Sequence, residues 1–344
     1  MADEKKHLLG KTLFELKEMA ASLDMPTFAA KQIADWLYKK NITTIDMMSN
    51  LSAANRTKLA ENYTVGIKKP IKTSLSKDGT KKYLFDVGNN KYIESVFIPE
   101  KERATLCVSS QKGCQMNCLF CATGKQSFAG NLTSAEIINQ VQSIDECDKL
   151  TNIVFMGMGE PMNNINEVLK AIEILTSDYG YGWSPKRITL STIGVLPALK
   201  TFLDSTQCNL AVSIHAPDAF KRVQIIPGEK AYPIKDVLKL LKEYDWSHQR
   251  RVSFEYILFN QLNDTEEDAL KLADLLQGLD CRVNLIPFHQ IPDVDLSPSK
   301  RDIMEKFQAI LEKKHITATI RKSRGQDIDA ACGMLSTKKI NQTL

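Results

Sequence analysis

Residues 113–121 read Gly-Cys-Gln-Met-Asn-Cys-Leu-Phe-Cys and place three thiols, those of Cys114, Cys118 and Cys121, within eight residues. A four-iron cluster usually takes four cysteine thiolates, so three clustered ligands would leave one iron open for another molecule. A structural zinc ion can also use three local thiols, but it needs a fourth ligand from elsewhere in the chain. The C-x3-C-x2-C spacing is not the paired C-x2-C of zinc knuckles, and it favours an iron–sulfur cluster.

Strand-like runs alternate with helical stretches from just before this motif onward. The runs cover residues 105–109, 153–156, 187–191, 210–214, 252–257 and 283–286. In two helical stretches, 234–241 and 269–276, apolar residues recur at i, i+3, i+4 and i+7. Six β-then-α units predict an α/β fold with a parallel sheet, either doubly wound or a partial barrel. In both architectures, ligands bind at the carboxyl ends of the strands.

Two other patterns precede this region. Between about residues 10 and 63, apolar residues recur at helical spacing, and Pro26 marks a second helix start. Residues 64–98 carry short β-type runs, with Asp78-Gly79 as a hairpin turn. We therefore expect a helical domain at 1–63, a β-rich connector at 64–98, a large α/β domain at 99–335 and a polar tail at 336–344.

The composition indicates a globular protein. The chain has 344 residues, of which 43% are hydrophobic, and no apolar run approaches the roughly 20 residues that span a bilayer. The charged N-terminus has no apolar signal core behind it. Without a secretion signal, the eight cysteines are read as metal ligands or reactive thiols rather than as a disulfide framework. We expect a cytoplasmic protein with no membrane partner.

The net charge of +4 is too small to identify a nucleic-acid partner, because a solvated lysine-rich surface gives the same total. The distribution of the charge is more informative, since basic residues recur in groups that are candidates for an RNA-facing surface. The groups are Lys68, Lys69 and Lys72; Lys77, Lys81 and Lys82; Arg250 and Arg251; Lys313 and Lys314; and Arg321, Lys322 and Arg324.

With Phe120 before its last cysteine, the motif resembles the signature of the radical S-adenosylmethionine (AdoMet) superfamily. The resemblance implies a partial (β/α)6 barrel and a [4Fe–4S] cluster on Cys114, Cys118 and Cys121. It also implies that the open iron chelates the amino and carboxylate groups of AdoMet. One electron from the cluster would then cleave AdoMet into methionine and a 5′-deoxyadenosyl radical.

Candidates for the rest of this cofactor site follow the next strands. In the turn at residues 157–161, Gly159 permits close backbone approach and Glu160 can meet the AdoMet ammonium group. Ser191 and the trio Ser213, Ile214 and His215 end the following two strands and are candidates for ribose or carboxylate contacts. Taken alone, a glycine-rich turn or a polar strand end is common in proteins without this chemistry.

Seven stretches carry a closer resemblance, to the RlmN-type RNA methyltransferases. They are residues 92–99, 104–111, 113–121, 157–161, 190–194, 284–287 and 325–333, and the match runs in order over essentially the whole chain. The resemblance implies that one AdoMet methylates Cys332, and that a radical from a second AdoMet activates this S-methyl group to add to carbon 2 of an adenine. It implies that Cys107 resolves the covalent RNA adduct through a disulfide with Cys332, and that Glu94 accepts a proton.

The resemblance also implies partners. The adenines would lie in 23S ribosomal RNA and in the tRNA anticodon loop, and a flavodoxin or ferredoxin system would donate electrons to a monomeric enzyme. One position departs from the family pattern, since His289 stands where the best-known members have a cofactor-binding asparagine. Because asparagine and neutral histidine both offer a donor and an acceptor, we keep His289 as a predicted AdoMet contact.

Three alternatives remain open at this point. A Cfr-type enzyme would use equivalent cysteines to methylate carbon 8 of adenine. A zinc-stabilised RNA-binding protein would have no catalytic activity. A radical enzyme for a small metabolite would explain the cluster but would leave Cys332 and the helical domain without a purpose. In all cases we assign Cys147, Cys208 and Cys281 to core packing.

Overall fold

The computed structural model of the chain describes residues 5–248 and 250–337. Apart from Ser336 and Thr337, the predicted polar tail at 336–344 lies outside these residues. The described chain has a largely helical N-terminal part, then three antiparallel strands, then seven parallel strands with their helices, and the antiparallel and parallel strands share one sheet.

The N-terminal part contains three helices: α1 Leu13–Ser22, α2 Ala29–Tyr38 and α3 Ala53–Asn62. A capping box starts α1, because the Thr12 hydroxyl accepts the Glu15 amide at 3.3 Å and the Glu15 carboxylate accepts the Thr12 amide at 2.9 Å. These bonds satisfy two amides at the start of the helix. The predicted helical pattern is confirmed. A short parallel pair, β1 Lys6–His7 and β2 Tyr63–Thr64, joins the two ends of this part and was not predicted.

Three antiparallel strands follow: β3 Lys72–Leu75, β4 Lys81–Asp86 and β5 Tyr92–Pro99. The predicted hairpin turn at Asp78-Gly79 is confirmed, with the Gly79 amide donating to the Ser76 carbonyl at 3.1 Å. β5 also pairs with the first strand of the next part, so the antiparallel strands extend the main sheet.

The main sheet has seven parallel strands in chain order: β6 Ala104–Cys107, β7 Asn152–Phe155, β8 Ile188–Thr192, β9 Asn209–Ser213, β10 Val252–Leu258, β11 Cys281–Pro287 and β12 Thr317–Ile320. Together with β3 to β5 they form one ten-stranded sheet whose two edge strands, β3 and β12, do not pair with each other. The six predicted strands are confirmed. β12 was not predicted, because only Ala318 of its four residues is buried and the strand carries a weak pattern.

Helices connect the parallel strands: α4 Ser134–Gln142, α5 Ile165–Thr176, α6 Leu196–Ser205, α7 Ala219–Ile225, α8 Ile234–Leu241, α9 Glu266–Leu276 and α10 Arg301–Lys313. The apolar faces predicted for α8 and α9 are the buried faces, since apolar side chains one turn apart share one side of a helix. Cys208 is buried in the core, while Cys147 and Cys281 are half-buried against it, so their packing assignment is confirmed.

None of the helices within the described ranges has both the length and the apolar character needed to cross a bilayer.

Candidate active site

The cysteine motif lies in the loop after β6, and we call residues 112–129 the cysteine loop. Two bonds close this loop, because the Lys112 amide donates to the Gly130 carbonyl at 2.9 Å and the Ala129 amide donates to the Lys112 carbonyl at 2.7 Å. Gly113 has a φ of +90°, and a Cβ there would lie 2.5 Å from the Ser127 carbonyl oxygen. Glycine is therefore required where the chain turns into the motif.

The three thiols of the cysteine loop lie close enough to influence one another. Cys118 is buried, whereas Cys114 and Cys121 are half-buried. Burial raises the pKa of the Cys118 thiol, and the charges of Cys121 and Cys114 raise it further. Burial also raises the pKa of Cys114 to about 12. The neutral thiols are therefore favoured until a cationic centre binds them as thiolates.

The number of thiols in the cysteine loop matches what the predicted cluster requires. Among residues 5–248 and 250–337, no three His, Cys, Asp or Glu side chains are grouped closely enough to hold one metal ion. A [4Fe–4S] cluster attaches each thiolate to a different iron, so its ligands stand farther apart than the ligands of one zinc ion. Three thiols in one loop are compatible with the predicted cluster, whose fourth iron they would leave open for another molecule.

The glycine-rich turn after β7 lies against the residues that lead into the cysteine loop. The Glu160 amide donates to Gln111 Oε1 at 2.8 Å. Gly159 has a φ of +101°, and a Cβ there would lie 2.4 Å from the Gln111 Cβ. This close approach is available only to glycine, so Gly159 sets the position of Glu160 beside the cysteine loop.

Glu160 is buried and links two strand ends. Its Oε1 accepts the Met162 amide at 3.1 Å, and its Oε2 accepts the Ile193 amide at 3.0 Å. Burial raises the pKa of Glu160. Burial and, more weakly, the Glu160 charge raise the pKa of Cys114 and Cys118, so the carboxylate lies near these thiols. A ligand ammonium group at this point would be matched by a buried carboxylate.

The predicted contacts on β8 and β9 lie at adjacent strand ends. Ser191 and Ser213 are half-buried there. Ile214 has a different setting, because its side chain is buried, its amide donates to the Glu255 carbonyl at 3.1 Å and its carbonyl accepts Arg222 Nε at 3.1 Å. Ile214 therefore supports the strand end, and its contact with AdoMet stays a prediction.

His215 lies against the cysteine loop, with its ring edge-on to Phe120 and the centroids 4.6 Å apart. Its Nδ1 accepts the Ile257 amide at 3.0 Å, which leaves the proton on Nε2. Burial and the charge of Arg222 lower the pKa of His215 to about 3, so the ring is neutral. The neutral ring therefore keeps one free donor for a ligand.

His289 follows β11 and is buried, and burial lowers its pKa. The preceding Phe288 packs on Phe259 with centroids 5.0 Å apart, and Phe259 packs on Phe120 at 6.1 Å. The His289 segment thus joins the aromatic contacts beside the cysteine loop, while its contact with AdoMet stays a prediction.

The segment after β12 lies across the cysteine loop, and we call residues 325–337 the C-terminal arm. The Ala122 amide donates to the Gly333 carbonyl at 2.7 Å, and Thr123 Oγ1 donates to the Leu335 carbonyl at 2.7 Å. Both bonds lie just after Cys332, which is exposed. The arm therefore brings Cys332 to the residues that directly follow Cys121.

The structure also brings Cys332 near Cys107, although the two lie 225 positions apart in the chain. Cys107 is buried at the end of β6, where burial raises its pKa to about 12 and the nearby Cys332 adds to the rise. Glu255, Arg321 and Cys121 in turn lie within electrostatic range of Cys332. Two thiols from distant parts of the sequence thus lie within electrostatic range of each other beside the cysteine motif.

Glu94 lies under the C-terminal arm. It is buried on β5, its Oε1 is 3.0 Å from Lys82 Nζ, and its Oε2 accepts the Ser336 amide at 2.9 Å. Burial raises the pKa of Glu94, and the Lys82 charge is the strongest opposing influence. The carboxylate is thus held between a strand lysine and the arm.

Two charged residues near the site were not predicted to belong to it. Glu255 is buried on β10, where its Oε1 accepts Asn284 Nδ2 at 2.8 Å and Ser253 Oγ at 2.9 Å. Glu255 could have been predicted from the sequence, because a carboxylate inside an apolar strand is rarely buried without a specific role. Lys82 carried no such signal, because it is one of many lysines and only the fold distinguishes it.

Arg250 was wrongly included in the predicted RNA-facing set. It is buried, donates to the Leu203 carbonyl at 2.7 Å and lies 5.8 Å from the ring centres of Tyr244 and Trp246. The guanidinium of Arg250 therefore makes contacts inside the protein and does not face an RNA. Other members of the set are exposed and remain candidates, among them Lys68, Lys69, Lys72 and Lys77.

The chain is similar to known proteins over nearly its whole length. Residues 108–273 match the radical SAM superfamily, and residues 6–65 match the ribosomal RNA large subunit methyltransferase N-terminal domain. A probable dual-specificity RNA methyltransferase RlmN of Parabacteroides distasonis is 56% identical over 98% of each chain. The dual-specificity RNA methyltransferase RlmN of Marinobacter nauticus is 40% identical over 97% of this chain and 93% of its own.

A solved structure is also similar to this chain over nearly its whole length. The crystal structure of a radical SAM methyltransferase from Sphaerobacter thermophilus is 37% identical, with a TM-score of 0.91 over 97% of this chain and 100% of the other. This likeness includes the helices, the antiparallel strands and the parallel sheet together. It confirms the predicted α/β fold with a partial (β/α)6 barrel.

Proposed function

The chain belongs to the RlmN family of radical AdoMet RNA methyltransferases, and on this basis we propose that it methylates carbon 2 of adenine in large-subunit ribosomal RNA and in the tRNA anticodon loop. The dual specificity named for its relatives supports the two substrates. One observation carries the proposal: the C-terminal arm docks on the cysteine loop and holds Cys332 within electrostatic range of Cys107. A non-catalytic RNA-binding protein does not require such a pair of thiols.

The cofactor residues fit this reaction. Cys114, Cys118 and Cys121 would hold a [4Fe–4S] cluster, which supplies the electron that cleaves AdoMet into methionine and a 5′-deoxyadenosyl radical. Glu160 offers a buried carboxylate beside the thiols for the AdoMet ammonium group. The other proposed AdoMet contacts are Gly159, Ser191, Ser213, Ile214, His215 and His289.

Cys332 carries the one-carbon unit. Its thiol loses a proton and takes a methyl group from one AdoMet, which makes it a thioether. Transfer of one hydrogen atom from this S-methyl group to the 5′-deoxyadenosyl radical would give 5′-deoxyadenosine and leave a carbon radical on the methylene group, which adds to carbon 2 of the adenine. This carbon is electron-poor and has no acidic proton, so direct transfer from a sulfonium is unfavourable there, whereas a carbon radical can add.

Glu94 and Cys107 complete the reaction. The radical adduct must then lose one electron, for which the oxidised cluster held by Cys114, Cys118 and Cys121 would be the acceptor, and Glu94 accepts the proton from carbon 2. The Cys107 thiolate then attacks the Cys332 sulfur, so that an S–S bond forms and the S–CH2 bond breaks with its electron pair on carbon. Protonation of that carbon gives the methyl group. The proposal includes a flavodoxin or ferredoxin as electron donor and a monomeric enzyme acting in the cytoplasm, where both RNAs are found.

Nucleoside analysis tests this function directly. Protein reconstituted without oxygen should convert adenine in unmodified ribosomal RNA and in unmodified tRNA, supplied in separate reactions with AdoMet and a reductant, to 2-methyladenosine detected by mass spectrometry. If 2-methyladenosine forms in ribosomal RNA alone, tRNA is excluded as a substrate. 8-Methyladenosine would assign the Cfr-type reaction, and a colourless zinc protein without product would favour a binding function.

We expect Gly159→Ala to weaken AdoMet binding by about tenfold to a hundredfold, because its Cβ would overlap Gln111 and displace Glu160, and loss of a hydrogen bond to a charged group costs roughly 1.5–3 kcal/mol. Calorimetric titration of the reconstituted protein with AdoMet measures the change. Gly278→Ala is the matched control, since its φ is +84° but a Cβ there would meet no atom within 4 Å. Equal affinities in the two variants would contradict the role given to the turn.

A further inference from the structure

Lys82 has an unusual environment for a lysine. It lies on β4, and only 14% of its side chain is exposed. Its ammonium group contacts Glu94 Oε1 at 3.0 Å and donates to the Asp329 carbonyl at 3.2 Å. Lysine is rarely buried to this extent without a charged partner, and here the partner is Glu94, the proposed proton acceptor. Lys82 thus links β4 to Glu94 and to the C-terminal arm.

Glu94 makes the second half of this connection. Its Oε2 accepts the Ser336 amide at 2.9 Å. The pair formed by Lys82 and Glu94 therefore touches the arm at two points, Asp329 and Ser336, which lie three residues before Cys332 and four residues after it. A single ion pair thus holds the arm on both sides of the proposed methyl carrier.

The contact between Lys82 and the Asp329 carbonyl supports an unusual backbone conformation. Asp329 has a φ of +53°, in the left-handed region that favours glycine. Such a conformation persists only where the surroundings hold it. The Lys82 ammonium group donates to the carbonyl of this strained residue, at the point where the chain turns toward Cys332.

We propose that Lys82 is a positioning residue for the reaction, which aligns the Glu94 carboxylate with the C-terminal arm so that the arm carrying Cys332 docks on an ionised Glu94. This inference rests on the proposed function of Glu94 and Cys332. If Glu94 were protonated, Lys82 would lose its counter-charge in a largely buried place, and its own charge would become costly. Docking of the arm and ionisation of Glu94 therefore favour each other.

The neighbouring Lys81 provides a matched control. Successive side chains of a strand point to opposite faces, and Lys81 forms an ion pair with Glu146, which also contacts Tyr83. Lys81→Met removes a partly buried ion pair from the same strand as Lys82→Met does, but on the face away from Glu94. Methionine retains the apolar stem of lysine in both variants.

Lys82→Met should change the pH dependence of methyl transfer. The charged groups facing Glu94 are Lys82 on β4, which lowers its pKa, and Asp329 on the arm, which raises it, while burial raises it most. Without Lys82 the pKa of Glu94 rises further, so more of the carboxylate is protonated at neutral pH. The acid limb of the rate profile should move to higher pH by about 1 to 3 pH units, and activity should recover as the pH is raised.

Hydrogen exchange gives a readout that does not depend on activity. In the reconstituted holoenzyme, amides of residues 325–337 should exchange faster in Lys82→Met than in Lys81→Met and the unsubstituted protein. Lys82→Arg keeps the charge and should restore both the exchange protection and the acid limb, which also guards against a general folding defect in the methionine variant.

The outcomes separate this inference from the proposed function. If Lys82→Met matches Lys81→Met in arm exchange, or if its acid limb does not move, the inference is overturned. Failure of Lys82→Arg to restore either property overturns it as well. If the unsubstituted enzyme makes no methyladenosine while arm exchange depends on Lys82, the proposed function fails and the docking role of Lys82 stands.

Discussion

Cys332→Ala should reduce methyl transfer to RNA to the background level, because alanine has no sulfur to accept the methyl group. The fold should survive, since Cys332 is exposed and the arm is anchored through the Gly333 and Leu335 carbonyls rather than through the cysteine side chain. Exposed substitutions of this kind usually change stability by less than about 0.5 kcal/mol. Methyl-labelled AdoMet should label neither the protein nor the RNA, while iron and sulfide contents match those of the unsubstituted enzyme.

Cys281→Ala is the control for this variant. Cys281 is half-buried and is the first residue of β11. It therefore lies at the amino ends of the parallel strands, whereas the site lies at their carboxyl ends. With methyl-labelled AdoMet, the Cys281→Ala variant should still transfer label to both the protein and the RNA. Label reaching RNA from Cys332→Ala would mean that the methyl group does not travel through this sulfur, and direct transfer would then have to be considered.

Cys107→Ala should stop the reaction one stage later and leave protein joined to RNA. Without the Cys107 thiol, the bond between the Cys332 sulfur and the methylene carbon has no attacking group to break it. The substitution removes one buried sulfur at the end of β6, at a cost to stability of about 1 kcal/mol. A denaturing gel with labelled RNA should show a retarded species that protease converts to RNA bearing a short peptide.

Cys208→Ala is the matched control, because Cys208 is also buried but lies outside the site and accepts a contact from Thr206 Oγ1 at 3.1 Å. It should form product without a retarded species. If Cys107→Ala releases 2-methyladenosine normally, another group resolves the adduct, and the closeness of Cys107 to Cys332 has a different meaning.

Much of the site could be predicted because its parts are local in the chain. Cys114, Cys118 and Cys121 occupy one loop after a strand, and Glu160 follows the next strand in a glycine turn. Parallel strands bring their carboxyl ends to one edge of the sheet, so residues that end successive strands were expected to meet. The structure places Ser191 and Ser213 at adjacent strand ends and His215 against Phe120, while their contacts with AdoMet stay predictions.

Other features escaped prediction for physical reasons. β12 is an edge strand with one buried residue, so its pattern was weak. Arg250 looked like a surface charge, because a guanidinium that donates to backbone carbonyls in the interior has the same sequence appearance as one in water. Lys82 and Lys81 are adjacent and alike in sequence, yet one supports the arm and the other pairs with Glu146.

The motifs, the order of strands and helices, and the chemistry of the cysteine loop were readable from the chain, because hydrophobic periodicity and ligand spacing act over a few residues. The meeting of Cys107, Glu94 and Lys82 with the arm that carries Cys332 was decided by the folded sheet. Strand register selects which side chains share a face, and the closing of the arm over β4 and β5 depends on contacts between residues about 250 positions apart. No local pattern encodes such contacts, since their free energy is realised only when the whole sheet has formed.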